Sequence, residues 1–353
     1  MRVAYFGTWE RGYPRNEQVI AALRGVGVDV MLAHEEVWTG EHKFAIGPMI
    51  LPRLIGAETR LAFRRIPGDV DALVVGYPGQ FDIRPAKRHG RPVVFNAMVS
   101  LFDTFVEDRQ RFGRDSAAAW ALRAVDRDAL RRADVVVADT TANAEYFADL
   151  AGIEKPHVCY VGAEERLFRP AWRRPDRFCA LFVGKLIPLH GLDVILAAAR
   201  GLPNIAFRFI GSGQQESLLR DRPPNVEYVP WVAYERLPEE YAGAGCALGI
   251  FGSSAKAMRV IPNKAFQALA VGTPLITAGT EGVLELMQSG RDCLLTERSA
   301  ESLAAAIQLL HDDPELASRI GAEGRRTFER EASERVLGDR WRLAIDAAIR
   351  RRG

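Results

Sequence analysis

CALGIFGSSAKAMRVIPNKAFQALAVGTPLITAGTEGVLELM, residues 246–287, reads as strand, loop, helix, strand, loop, helix. Cys246 to Phe251 is an apolar run of strand length, broken by Gly252-Ser253-Ser254. Pro262 opens a helix where a missing N–H costs nothing, and Phe266, Leu269 and Ala270 form its inner face. Gly272 closes that helix and Pro274 prevents its return. Thr273 to Thr277 is the next strand, and a Gly279–Gly282 loop leads into another helix. Two helix N-termini thus follow two adjacent strands through loops of small residues. Such ends offer unpaired N–H groups and a positive dipole, which suit a phosphate. Lys256, Arg259 and Lys264 add three cations, so the stretch is either a cradle for a nucleotide diphosphate or a solvated basic loop.

The rest of the chain extends this pattern in both directions. Upstream, RVAYFG (2–7), a helix over 14–26 and VDVMLA (28–33) make a βαβ opening, which predicts a parallel sheet. The loop between the first strand and helix lacks G-x-G-x-x-G, which disfavours a nicotinamide dinucleotide there. Strands at 71–76, 92–95, 134–138 and 157–161 alternate with helices at about 50–65, 101–112, 115–132 and 141–151. Residues 1–165 therefore read as one doubly wound domain, and the Arg- and Pro-rich stretch 166–177 as a linker. A second α/β series occupies 178–332, with strands at 178–184, 205–211 and 226–229. Helices at 299–311, 314–330 and 333–349 follow without a strand between them. The segment 333–353 is expected to pack back toward the first domain. The fold class is α/β: two Rossmann-like doubly wound parallel-sheet domains facing each other, with a C-terminal helical tail.

Composition bounds the function. The chain has 353 residues, 48% hydrophobic and 26% charged, the profile of a globular protein with room for two domains. A net charge of +2 gives no footprint for nucleic acid. The basic runs at Arg64-Arg65, Arg84–His89 and Arg350–Arg352 are scattered. They read as solvated faces, one of which could touch an anionic membrane from its inner side. The four cysteines lie far apart in apolar runs and read as buried thiols; no metal site is expected. Asp69-Val70-Asp71 and Asp126-Arg127-Asp128 have D-x-D spacing but read as solvated charge. No apolar stretch reaches the ~20 residues of a membrane span, and the start shows no signal peptide, so a cytoplasmic location is expected.

VGKLIPLHGLDVIL (183–196), FIGSGQQ (209–215) and PNKAFQALAVGTPLIT (262–277) occur in that order. Together they resemble the family 4 glycosyltransferases, retaining enzymes of the GT-B fold. PVVFNAMVSLFDTFVEDR (92–109), ADVVVADTTANAEYF (133–147) and VGAEERLF (161–168) look like one bacterial branch of that family.

The resemblance implies a nucleotide-sugar donor, of UDP or GDP type, held mainly by the C-terminal domain. No cofactor or metal is implied, and the acceptor would be a glycan, a lipid-linked sugar or a small molecule held on the N-terminal side. The family's basic pair falls on Lys185 and His190, which would stabilise the departing diphosphate. His190 stands where the family has lysine; it either serves the diphosphate or is a polar loop residue. The family's two glutamates fall on Arg259 and Gln267. An amide can still bind ribose hydroxyls, whereas a guanidinium accepts nothing and would have to meet a phosphate or an acidic sugar. Asn263 and Lys264 look like the branch's own signature, with Lys264 as an extra phosphate contact. Gly184, Gly211 and Gly213 fit loops that come close to the donor. Trp231 to Tyr234 lies where the family places the base, with Val232 and its neighbours against the base edge through backbone groups, although Trp231 could equally pack in the core. Gly282 belongs to the second cradle loop.

On the acceptor side, Thr8, Trp9 and Asn96 sit at expected strand ends. Asp103 either orients an acceptor hydroxyl or caps a helix. A glycosyltransferase is the leading reading. A nucleotide-sugar epimerase or hydrolase on the same fold is the alternative enzyme, and a non-catalytic nucleotide-sugar-binding relic is the third, suggested by Arg259 and Gln267.

Overall fold

The computed structural model describes residues 1–38 and 50–352. They form two compact units, Met1–Tyr160 with Glu334–Gly353, and Val161–Ser333. Each is built on a six-stranded parallel sheet.

In the first unit the strands are β1 (Arg2–Gly7), β2 (Asp29–His34), β3 (Ala72–Val75), β4 (Val93–Asn96), β5 (Val135–Ala138) and β6 (His157–Val158), in the order β2-β1-β3-β4-β5-β6. Four of them, β1, β3, β4 and β5, are almost wholly buried runs of Val, Ala and aromatics, as expected where helices cover both faces. Helices α1 (Pro14–Gly25), α2 (Leu51–Phe63), α3 (Ile83–Arg88), α4 (Ala117–Arg132) and α5 (Thr141–Ala151) make the crossovers.

The second unit has β7 (Cys179–Val183), β8 (Ala206–Ile210), β9 (Val226–Val229), β10 (Cys246–Leu248), β11 (Leu275–Ala278) and β12 (Leu294–Thr296), in the order β12-β11-β10-β7-β8-β9. Its helices are α6 (Leu192–Gly201), α7 (Leu237–Ala242), α8 (Ala255–Arg259), α9 (Asn263–Val271), α10 (Glu281–Leu284), α11 (Ala300–Asp312) and α12 (Pro314–Glu331). Short strand β12 pairs with β11 where the sequence suggested only a lead-in to helices.

Two boundaries differ from the sequence expectation. The division lies at Tyr160–Val161, ahead of residue 165. The stretch 166–177 is packed into the second unit instead of hanging between domains. Phe168 is fully buried against Tyr234 and Tyr241, and the Trp172 indole donates to the Ala244 carbonyl at 2.7 Å. Counting Arg and Pro missed this because two aromatic anchors decide it.

The last helix, α13 (Glu334–Arg350), belongs to the first unit. It lies so close to α1 that a Cβ on Gly338 would stand 2.3 Å from the Ala22 carbonyl oxygen. Arg15 ties the pair to the sheet. Its buried guanidinium donates to the Asn96 side chain and to the Cys159 and Tyr160 carbonyls, and it stacks over Trp341. Every donor direction it uses is thereby satisfied inside the core, which is the condition for burying an arginine.

Candidate functional site

The second unit brings several of the expected residues to one point, Gly184, just beyond β7. A Cβ there would stand 3.1 Å from Lys264 Nζ and 3.3 Å from His190 Cε1, so both side chains reach the same spot. Gly211, beyond β8 with φ +137°, is pressed against it; a Cβ would lie 2.0 Å from the Gly184 carbonyl oxygen. Gly213 abuts the Leu186 carbonyl in the same way. Gly211 and Gly213 are therefore required by loop packing against loop, a reason internal to the protein that the sequence did not give, whereas a side chain on Gly184 would fill the space beside Lys264 and His190.

His190 is buried, and its Nδ1 lies in hydrogen-bond contact with the Lys185 carbonyl. A carbonyl only accepts, so Nδ1 carries the proton and the neutral ring offers an Nε2 lone pair. Burial, followed by the nearby charge of Lys264, pushes the His190 pKa well below its ordinary value, and Lys256 adds to this. Without a bound anion, His190 is a neutral imidazole.

Lys264 sits in the first turn of α9 with its side chain buried. Its Nζ has no hydrogen-bond partner among the described residues and rests 3.6 Å from the centroid of the Phe182 ring. Burial pushes its pKa well below the ordinary lysine value. A buried ammonium without a counterion is costly, and an anion arriving beside it would remove that cost. The N-terminus of α9 carries no side-chain cap, so its first N–H groups are not consumed by one.

Lys256, in α8, is also buried. The second expected helix end contributes less than its sequence suggested. Helix α10 is only four residues long, and Thr280 Oγ1 accepts the Val283 N–H at 3.4 Å. Gly282 is packed against α8, its absent Cβ leaving 2.4 Å to the Arg259 carbonyl oxygen. Asn263 is half-buried and Lys185 exposed at the rim of the same loops.

Gln267 is not open to a ligand. Its amide oxygen accepts from Tyr241 Oη at 3.1 Å and its nitrogen donates to Tyr234 Oη at 3.4 Å, both inside the unit. Tyr234, at the end of the stretch expected near the base, is thus tied to Gln267, a link that sequence reasoning did not give. Trp231 is 76% exposed, which excludes core packing for it; Val232 beside it is half-buried.

In the first unit, the acceptor-side candidates are buried and engaged, contrary to the expectation that they face a ligand. Thr8 gives its N–H and its hydroxyl to Asp82, at 2.9 and 3.0 Å. The Trp9 ring packs between Tyr5 and His34, and Asn96 holds Arg15. Asp103 is buried, and its own N–H donates to Ser100 Oγ, so Asp103 is not the capping side chain.

Asp126 does much of that work. It is buried and accepts from Ser100 Oγ and from the Leu101 and Phe102 N–H groups, at 2.7 to 2.9 Å. Burial raises its pKa to about 6 despite those bonds. The reading of residues 126–128 as solvated charge therefore fails at Asp126, although Asp128 does pair with Arg84 and Arg132. The segment that Asp126 caps is a π-helix, Asp103–Asp108, and not the longer α-helix expected over 101–112. Asp82, also missed, is fully buried and adjoins the Glu58 carboxyl; burial raises the pKa of both, and the charge of Asp82 raises Glu58 further, whereas Glu58 as a hydrogen-bond donor lowers Asp82. The sequence signal for Asp82 was weak, a single acid after a Gly-Gln-Phe turn.

Known proteins place this arrangement. A family model described as glycosyl transferase-like matches residues 193–336. The chain is 27% identical over 332 residues to D-inositol 3-phosphate glycosyltransferase 1 of Catenulispora acidiphila, covering 85% of this chain and 75% of that one. It is 24% identical over 181 residues to the lipopolysaccharide core biosynthesis glycosyltransferase LpsD of Rhizobium meliloti, about half of each chain (50% and 52%). Among solved structures, sucrose-phosphate synthase from Thermosynechococcus elongatus superposes with a TM-score of 0.74 at 17% identity, covering 97% of this chain and 98% of that one. The Anabaena protein HepE, solved with UDP-glucose, gives 0.70 at 14% identity, covering 98% and 99%. At these identities the structural likeness speaks to the fold.

Proposed function

We propose that this chain, with the GT-B fold and a likeness to glycosyltransferases, moves a sugar from a nucleoside diphosphate sugar to a hydroxyl acceptor, with retention and without a metal. The observation that carries the reading is Lys264, a buried amino group without a hydrogen-bond partner among the described residues, converging with His190 on Gly184.

In this reading the donor diphosphate lies against Gly184, Lys264 and the open end of α9. Cleavage of the sugar–oxygen bond leaves the electron pair on the diphosphate and an oxocarbenium-like sugar, whose anomeric carbon the acceptor hydroxyl oxygen bonds as its proton passes to the released diphosphate. Lys264, protonated by the anion's field, meets that growing charge, and His190 takes a proton at Nε2 while Nδ1 stays on the Lys185 carbonyl. Lys256 and Lys185 complete the countercharge, so these cations supply what a metal would otherwise provide. The exposed Trp231 offers its face to the base, and Tyr234, held by Gln267, offers a hydroxyl to the ribose. A uridine nucleotide is favoured because HepE was solved with UDP-glucose. The acceptor hydroxyl belongs to a glycan, a lipid-linked sugar or a small molecule.

A thermal-shift screen of nucleoside diphosphates and their sugars in excess chelator tests this. Stabilisation follows RT ln(1 + [L]/Kd), so one base, and one of its sugars, should raise the melting temperature most. No shift from any of them, in a folded sample, would refute the donor reading. Arg259 in place of a carboxylate favours a second reading, a binder without turnover. That reading predicts the same shift with no release of free nucleotide when acceptors are supplied.

A further inference from the structure

The first unit carries an outer surface that the transfer reaction does not use. Helix α2 buries Leu54, Ala57 and Leu61, the spacing of a single inward stripe. Its outer flank should then be polar, yet Leu51 is 53% exposed, Ile55 58% and Phe63 74%. These side chains open onto a cavity of about 590 Å³ between α2 and α3, floored by Phe81 and Pro85. Arg84, Lys87, Arg88 and Arg132 rim it, and the Arg88 guanidinium lies 5.0 Å from the Phe63 ring centroid. The surface continues onto α4, where Trp120 is 76% exposed and Arg123, Arg127 and Arg131 follow it at helical spacing around a second hollow.

The charge on this face is one-sided. Asp128 serves both Arg84 and Arg132, and Asp134 pairs with Lys87, so two carboxylates answer three of the rim cations and leave an excess of positive charge. The Arg123 guanidinium lies over the Phe102 ring. Glu58, which also lines the cavity, has its pKa raised by burial and by Asp82, so it subtracts little from the positive field. Bulky apolar side chains and a tryptophan among arginines, with hardly any acids, are the combination that anionic lipid headgroups and the acyl boundary beneath them accept. A protein partner of mixed surface charge has no reason to match it.

We propose that the α2–α3–α4 face of the first unit docks on an anionic phospholipid bilayer, with Leu51, Ile55, Phe63 and Trp120 entering the interface and the arginines meeting lipid phosphates. The face lies outside the donor residues named above, so docking and nucleotide binding are separable.

Co-sedimentation with vesicles tests it, using phosphatidylglycerol-rich and pure phosphatidylcholine vesicles with the full chain. The expected result is binding to the anionic vesicles only. It should weaken as salt rises from about 0.1 M to about 1 M, where the screening length falls from about 10 Å to about 3 Å. The double variant Ile55→Ser/Phe63→Ser and, separately, Arg88→Glu/Arg127→Glu should each lose binding by roughly tenfold or more. Both should keep the wild-type melting temperature within a few degrees and the same nucleotide-induced shift. No binding to anionic vesicles overturns the proposal, as does binding that both variants retain. Self-association in solution that Ile55→Ser/Phe63→Ser abolishes, without vesicle binding, also overturns it and assigns the face to a second copy of the chain.

Discussion

Lys264 Nζ lies 3.6 Å from the centroid of the Phe182 ring, buried and with no hydrogen-bond acceptor among the described residues. The ring's negative face offsets part of the cost of burying the ammonium, but a quadrupole is a poor substitute for an anion. Lys264 thus costs the empty protein stability, a cost that the proposed diphosphate would offset.

Replacing it with an apolar chain of similar length should make the unliganded protein more stable. Lys264→Met is expected to add about 1 kcal/mol or more at neutral pH, or a few degrees in melting temperature. The folded pKa of Lys264 is lowered, so the unfolded chain binds the extra proton below about 10.4. The variant's advantage should therefore shrink as pH rises toward that value. A less stable variant would show that the ammonium is satisfied in the empty protein.

Nucleotide binding should take up protons. Lys264 and His190 both have lowered pKa values in the empty site, and a diphosphate beside them raises both. Calorimetric titration near pH 7.5 in two buffers of different ionisation enthalpy should give different observed heats, with the sign of proton uptake. Affinity should fall as pH rises. Identical heats would mean that neither group changes its protonation when the anion arrives.

The Glu58–Asp82 pair makes a separate pH prediction within the first unit. Both folded pKa values are raised, so the stability contributed by the protonated pair is present at low pH and is lost as pH rises above the ordinary carboxylate range. Glu58→Gln supplies a neutral donor for Asp82 in place of the shared proton. Its melting temperature should exceed that of wild type at pH 9 and converge with it near pH 5. Parallel melting curves across that range would show that the two carboxyls do not share a proton.

Asp126→Ala should be among the more damaging substitutions outside the apolar core. It leaves Ser100 Oγ and the Leu101 and Phe102 N–H groups without their acceptor. The expected loss is about 2 kcal/mol or more, read as a lower midpoint in urea. Asp128→Ala, which removes exposed pairs with Arg84 and Arg132, should cost less than about 1 kcal/mol. Equal effects would restore the view of residues 126–128 as one solvated run.

Much of this architecture was legible in the chain. The alternation of apolar strands with 3.6-periodic helices located both sheets, and Gly272 with Pro274 marked the end of α9 correctly, because burial on both sheet faces leaves a strong pattern. Gly184 and His190 were picked out from one motif and Lys264 from another, later one, and the three do converge. The acceptor-side residues were not legible in the same way. Thr8, Trp9 and Asn96 stand at strand ends as expected, yet Asp82, His34 and Arg15 claim their side chains. Those partners are contributed by distant elements, and nothing in local periodicity reports them. The tie between Tyr234 and Gln267, 33 residues later, was not legible for the same reason.

The most direct test of the account is a calorimetric titration of a nucleoside diphosphate, UDP first and GDP second, into wild type, Lys264→Met and the membrane-face variant Ile55→Ser/Phe63→Ser. The account predicts binding by wild type and by the membrane-face variant, with a loss of about tenfold or more for Lys264→Met. Equal affinity in wild type and Lys264→Met would contradict it, because the buried ammonium would then have no part in holding the diphosphate.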